Sequence, residues 1–254
     1  NADREYRLLR ERMDHAPTGV PDSPVVMELL KVLFTPEEAA FARTLPTVPT
    51  VFPKLVQKLG IPAAELEEKL TALALRGLVL DVYSGEDRYF ALAPVLGGVF
   101  EFIMMRVRDD IPVKEIARLL DNYLYKDEGF LRQSYTGETQ FARSFVHEER
   151  LDQMADHTEI LDWERITKVV ESASRVTVGL CACRHNKSHL GEACDMPQRT
   201  CISLNSGADA MMQMRISEEI TPSEALRIIE ECKAKGLAQT GDNVQQSVTF
   251  LCNC

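Results

Sequence analysis

The stretch Val176-Thr177-Val178-Gly179-Leu180-Cys181-Ala182-Cys183 changes character every second residue. That is the period of a strand with two unlike faces. On such a strand Val176, Val178 and Leu180 share one face, while Cys181 and Cys183 share the other and aim two sulfurs at one point. The chain ends in the same way: Val248-Thr249-Phe250-Leu251-Cys252-Asn253-Cys254 sets Cys252 and Cys254 on one strand face. Between these two runs come Cys194 and Cys201, read as loop residues beside Gly191, Asp195 and Pro197.

The seventh cysteine differs. Thr221-Pro222-Ser223-Glu224 is a capping box that opens a helix running to Lys235, and Cys232 falls on its apolar face with Ala225, Leu226, Ile228 and Ile229. A cysteine there packs as a small hydrophobe. The other six, Cys181, Cys183, Cys194, Cys201, Cys252 and Cys254, are the candidate metal ligands. Thiolates select zinc or iron–sulfur clusters. Structural zinc pairs its cysteines across two to four residues, a wider spacing than the single residue found twice here. Four thiolates satisfy a [4Fe–4S] or [2Fe–2S] cluster. Cys181, Cys183, Cys194 and Cys201 make one such set, and Cys181, Cys183, Cys252 and Cys254 on neighbouring strands make another; spacing alone does not choose. Arg184 is placed to offset cluster charge, while His185 and His189 read as solvated loop residues. Met211, Met212 and Met214 have the spacing of helical core filling, and Leu96-Gly97-Gly98-Val99 lacks the lysine of a phosphate loop.

Upstream of the thiols the pattern is helical. Pro24–Phe34 is apolar enough for a buried helix, and Thr35-Pro36-Glu37-Glu38 is a second capping box. Helices over Phe52–Leu59 and Ala63–Arg76 follow, parted by Gly60-Ile61-Pro62, with Leu66, Leu70 and Leu73 as the buried stripe of the second. Leu78–Tyr83 and Arg88–Ala93, around Ser84-Gly85-Glu86-Asp87, form a hairpin. That order is the order of a winged helix. Its groove-facing helix, Ala63–Arg76, carries Glu65, Glu67 and Glu68 against Lys69 and Arg76, a surface that repels phosphate. A docking or dimerisation role is therefore expected ahead of DNA recognition. Residues 95–174 read as a mostly helical connector, with helices over Val99–Val107, Pro112–Leu124 and Asp162–Ser172, the last with Trp163, Ile166, Val169 and Val170 as its stripe; Gly137 marks a loop, and His147 and His157 read as surface residues.

The whole chain agrees with this division. Its 254 residues suit two domains, and 45% hydrophobic with 27% charged residues excludes wholesale disorder. A net charge of −10 argues against nonspecific nucleic-acid or anionic-membrane binding. No apolar run approaches a bilayer span, and the polar opening Asn1-Ala-Asp-Arg-Glu carries no signal segment, so the cytoplasm is the expected compartment. Seven cysteines, all beyond residue 180, suit metal binding better than a disulfide framework. The expected fold is α+β, mostly α: a winged-helix-like domain over 19–94, a helical connector over 95–174 and a small α/β cysteine-rich domain over 175–254.

The run Ile160-Leu161-Asp162, the helix to Ser172, Val176 to Arg184 with both its cysteines, Cys194, Cys201 and the closing Phe250-Leu251-Cys252-Asn253-Cys254 together resemble a group of ferredoxin-type iron–sulfur proteins of anaerobic bacteria and archaea. The likeness covers residues 19–94 loosely and 160–254 more specifically. In that group a winged-helix-like region stands at the front, and the Cys-Asn-Cys run leads into further cysteines and a ferredoxin domain with two [4Fe–4S] clusters, whereas this chain stops at Cys254. The resemblance implies a [4Fe–4S] cluster, with zinc as the alternative occupant, on Cys181, Cys183, Cys194, Cys201, Cys252 and Cys254. The paired cysteines with the two between them point to electron transfer or an accessory role in an anaerobic redox system beside a redox partner protein, and the acidic front to docking or a homodimer through that region. The rival readings are a metal- or redox-responsive regulator and a zinc-stabilised scaffold.

Overall fold

The computed structural model describes residues 2–16, 18–135, 142–145, 165–244 and 246–254. Gly137, His147, His157, Ile160-Leu161-Asp162 and Trp163 lie outside the described residues. The chain is α+β and mostly helical, and it divides into two compact units. One comprises Asn1–Glu138 with Ala182–Cys194, the other Thr139–Cys181 with Asp195–Cys254. No helix among the described residues is long and apolar enough to cross a membrane.

The first unit opens with α1 (Ala2–Met13), α2 (Pro24–Leu33) and α3 (Pro36–Ala42). Short-range chemistry sets their starts. Ser23 Oγ accepts the Val26 N–H at 3.2 Å, and at Thr35 both halves of the expected capping box are made, Glu38 N–H to Thr35 Oγ1 at 3.2 Å and Thr35 N–H to Glu38 Oε2 at 2.9 Å. Then come β1 (Thr50–Val51), α4 (Phe52–Leu59), α5 (Ala63–Arg76), β2 (Val79–Ser84) and β3 (Asp87–Leu92). The three strands form an antiparallel sheet in the order β1-β3-β2, with Tyr83 opposite Arg88 next to the turn. The helix pair and hairpin fall where periodicity sets them, and Leu66, Leu70 and Leu73 are buried as expected.

One side chain ties α5 to the hairpin. The Arg88 guanidinium donates to Asp81 Oδ1 at 2.9 Å and Oδ2 at 2.7 Å, to Thr71 Oγ1 at 3.0 Å and to Glu67 Oε1 at 2.5 Å, and lies 4.7 Å from the Phe90 ring centroid. Asp81 is only 2% exposed, and that fork supplies a donor to each of its carboxylate oxygens. Replacing Arg88 with Lys keeps the charge and loses the two-pronged geometry. The expected result is a loss of about 1 kcal/mol, read as a lower urea midpoint with an unchanged slope.

After the hairpin come α6 (Phe100–Met104), α7 (Val113–Lys126) and α8 (Glu128–Tyr135). The helix expected over Val99–Val107 is cut to α6, because Arg106, Arg108, Asp109 and Asp110 break the apolar stripe and Val107 stands 82% exposed. This unit also holds α10 (Ala182–Leu190), which corrects the sequence reading: the strand ends at Leu180, and Cys183 sits on a helix instead of on a strand face with Cys181.

The second unit is a sheet of six antiparallel strands in the order β4-β8-β9-β6-β5-β7. They are β4 (Ala142–Ser144), β5 (Val176–Leu180), β6 (Arg199–Leu204), β7 (Glu218–Glu219), β8 (Gln239–Asp242) and β9 (Phe250–Asn253). Among the described residues three helices accompany it: α9 (Ile166–Glu171), α11 (Asn205–Gln213) and α12 (Pro222–Ala234). One sheet face, with Val176, Val178, Ile202, Leu204 and Leu251, packs on Val169 and Val170 of α9 and on Ile228, Ile229 and Cys232 of α12. Cys232 is fully buried in that core, as its helical phase requires, and Met211 and Met214 are buried with α11.

Candidate functional site

Strand direction brings four thiols to one end of the second unit's sheet. β6 lies between β5 and β9 and runs antiparallel to both, so β5 and β9 point the same way. Cys181 directly follows β5, Cys201 is near the start of β6, Cys252 lies near the end of β9 and Cys254 directly follows it. Cys201 is therefore a strand residue and not the loop residue the sequence reading makes it, because Thr200-Cys201-Ile202-Ser203-Leu204 carries β-branched residues in strand phase.

The register is finer than that. Ser203 pairs with Phe250 and Ile202 with Leu251, where the ladder ends; the same register carried one step further would set Cys201 opposite Cys252. Leu204 N–H donates to Thr249 O at 2.9 Å. Hydrogen-bonded and open pairs alternate along an antiparallel ladder, so in that continued register Cys201 and Cys252 would be an open pair, the kind whose side chains come closest. On the other side Cys252 faces Thr240, and Cys254 exchanges both backbone bonds with Ala238, at 2.6 and 2.9 Å. Leu251 and Asn253 are buried, Cys252 is half-buried and Cys254 exposed. Cys201, Cys252 and Cys254 thus share the face turned away from the aliphatic core.

Near Cys201 the sheet is bulged. Gly179 faces Cys201 and Leu180 faces Arg199, which leaves Thr200 out of the pairing. Past Ile202 and Leu251 a side chain takes over the tie: Asn253 Nδ2 donates to Thr200 O at 2.8 Å while its Oδ1 accepts from Gln239 Nε2 at 2.9 Å. Asn253 and Gln239 hold the thiol-bearing strand ends together from the buried side, and sequence reasoning missed both. The available signal was phase: Asn253 follows Leu251 on the inward face, where a polar residue requires partners. Cys181, which is buried, donates its N–H to Gln198 O at 2.5 Å.

The remaining two candidates belong to the other unit. Cys183 lies in the first turn of α10, exposed, and accepts a hydrogen bond from Tyr125 Oη at 3.5 Å; Cys194, also exposed, follows that helix. His185 and His189 are on α10 as well, not in a loop. His185 Nδ1 is 2.7 Å from Met104 O, and the two imidazoles lie 4.7 Å apart, tilted by 50°. Burial, and next the charge of His185, holds His189 below the usual imidazole pKa. Arg184, 7% exposed, packs into the unit. Lys187 reaches Asp121 on α7 at 2.6 Å.

Soft, all-sulfur donors suit zinc or an iron–sulfur cluster. Among the described residues, however, no three His, Cys, Asp or Glu side chains are gathered as a group able to hold a metal ion. The fit is one of residue type and strand register, and a coordinating cage is not assembled. Neither a family model, nor a curated protein, nor a solved structure matches the chain.

Proposed function

We propose that the C-terminal unit holds a thiolate-bound metal centre, an iron–sulfur cluster in first place, and that the protein serves electron transfer or an accessory role beside a redox partner protein. One observation carries this reading: Cys201, Cys252 and Cys254 share a strand face, and Cys181 stands at the same end of the sheet. Two thiolates on one tetrahedral zinc sit about 3.8 Å apart for Zn–S bonds near 2.3 Å. Cβ atoms of directly opposed strand residues lie about 4.5–5.5 Å apart, so staggered χ1 turns alone bring two sulfurs of such a pair into that range. The cluster would be held by Cys201, Cys252 and Cys254 with Cys181, and its chemistry would be one-electron transfer.

The front of the chain is proposed as a winged-helix-like module for docking or dimerisation. Lys69 is paired with Glu65 at 2.6 Å and Arg88 with Asp81 and Glu67, so the cations that would meet phosphate are already engaged by carboxylates. The regulator reading stands against that charge pattern. A titration with duplex DNA over a salt series tests it, since phosphate contacts give a steep salt slope.

Anaerobic purification followed by iron, acid-labile sulfide and zinc assays tests the metal centre. The expected result is iron with matching sulfide and visible absorbance, lost in Cys252→Ser and Cys201→Ser and kept in Cys232→Ser. Stoichiometric zinc without iron replaces electron transfer by a structural role. A chain that takes up neither metal overturns the reading.

A further inference from the structure

We infer that Cys201 and Cys252 are a peroxide-oxidised pair that closes into a reversible cross-strand disulfide, a modification that excludes metal from the same face. The disulfide rests on the β6–β9 register continued one step past Ile202 and Leu251, and the exclusion of metal rests on the metal-centre reading above. In an open antiparallel pair the Cα atoms are about 4.5 Å apart, inside the range of about 4.4–6.8 Å that a disulfide spans. The neighbouring pair Ile202 and Leu251 and the bond from Leu204 N–H to Thr249 O at 2.9 Å fix the register on one side. The amide of Asn253, bonded to Thr200 O at 2.8 Å, ties the strands on the other. Both sulfur-bearing residues are half-buried, open enough for a small oxidant and sheltered from a large one. Gly179, the partner of Cys201 on β5, adds no side chain beside it. The other outward thiol competes less well. Cys254 is two residues along the same strand from Cys252, and residues so placed are about 6.6 Å apart, near the limit of a disulfide.

The chemistry closes without a cofactor. The thiolate of one cysteine attacks a peroxide oxygen; the O–O bond breaks, an S–O bond forms, and a water or alcohol leaves with the proton. The second thiolate attacks that sulfenic sulfur, the S–S bond forms, the S–O bond breaks, and hydroxide leaves to take up a proton as water. Two thiols lose two electrons and one peroxide gains them. Thiol reductants return the pair.

The test uses the full chain, stripped of metal by a chelator without air and then given one equivalent of hydrogen peroxide. After alkylation and tryptic digestion, the peptide of residues 200–215 is expected to be joined to that of residues 236–254, and the thiol count is expected to fall from seven to five. Cys254→Ser keeps the link; Cys252→Ser and Cys201→Ser lose it. A link through Cys254 or Cys181, a link between two chains, or an unchanged thiol count overturns the inference, and the Cys254→Ser arm decides it even where Cys252→Ser folds poorly. Zinc bound beforehand is expected to slow linking at least tenfold, and equal rates with and without zinc overturn the exclusion. A protein that links but takes up no metal refutes the metal centre and not the disulfide. One that binds metal but never links refutes the disulfide alone.

Discussion

Raising the pH from 5 to 8 is expected to lower the stability of the N-terminal unit through one carboxyl, Glu101, and Glu101→Gln is expected to remove that loss. Burial pushes the Glu101 pKa up to about 7, against an ordinary value of 4.5, although the N–H groups of Glu101 itself, Gly98 and Gly97 pull it down. Gly98 N–H donates to its Oε2 at 2.8 Å, in a turn that Gly97 makes with φ +72° before α6 begins. Between pH 4.5 and 7 the folded chain keeps a proton that the unfolded chain has released. Stability is therefore fully present below the lower value and is lost as the pH rises through the higher one. The span corresponds to about 3 kcal/mol at most. Other groups titrate too; Arg108 holds Asp110 down at about 2, and its stabilisation disappears only in strong acid. The informative quantity is therefore the difference between Glu101→Gln and the unaltered chain in urea titrations across this pH range. Glutamine still accepts the Gly98 N–H, so the variant should gain relative stability as the pH rises. Parallel curves would refute the assignment.

What could be read from the residues is what short-range chemistry controls. Thr35 and Thr221 each cap a helix by accepting the N–H three residues ahead, and Leu66, Leu70 and Leu73 face inward because helical period leaves them no other face. The strand extended to Cys183 failed for a physical reason. α10 buries Arg184 and Asn186 with Ala182, so it has no apolar stripe to announce a helix, and two cysteines at spacing two fit a strand as readily. Cys252 and Cys254 did share a face, because the phase there is anchored by Leu251 and Asn253 on the inward side. The pairing of β6 with β9, which places Cys201 and Cys252 at the same end of the sheet, was out of reach. It depends on which strands pair and in what register, and fifty intervening residues carry no local mark of either.

The second large effect belongs to Gly207, which is expected to tolerate no side chain although it lies in a helix. By helix propensity alone Gly207→Ala should stabilise α11 by about 1 kcal/mol. Packing reverses the sign: a Cβ there would lie 2.3 Å from Thr249 O and 3.0 Å from Thr249 C. Backbone is the obstacle, and it is backbone with nowhere to go. Thr249 N–H donates to Asp242 Oδ1 at 3.0 Å, its hydroxyl donates to Oδ2 at 2.8 Å, and its carbonyl accepts from Leu204. Asn205, at φ +52°, pins the same corner by donating to Val248 O at 2.9 Å. Relief of the overlap must push α11 away from β9 or pull β9 away from β6, and the second movement opens the ladder whose continuation would set Cys201 against Cys252. Overpacking of this kind costs about 1–3 kcal/mol for alanine, and Gly207→Val adds the second branch and the stiffness of a β-branched residue. Gly207→Val is therefore expected to lose about 4 kcal/mol and to unfold the C-terminal unit at a markedly lower urea concentration. Ser206→Ala, one residue earlier and exposed on the same helix, should instead match or slightly exceed the unaltered chain. Equal behaviour of the two helix variants would mean that α11 does not press on Thr249. In the folded fraction of Gly207→Ala, slower peroxide linking of Cys201 to Cys252 with Cys254 unaffected would tie the stability loss to the register and not to the helix.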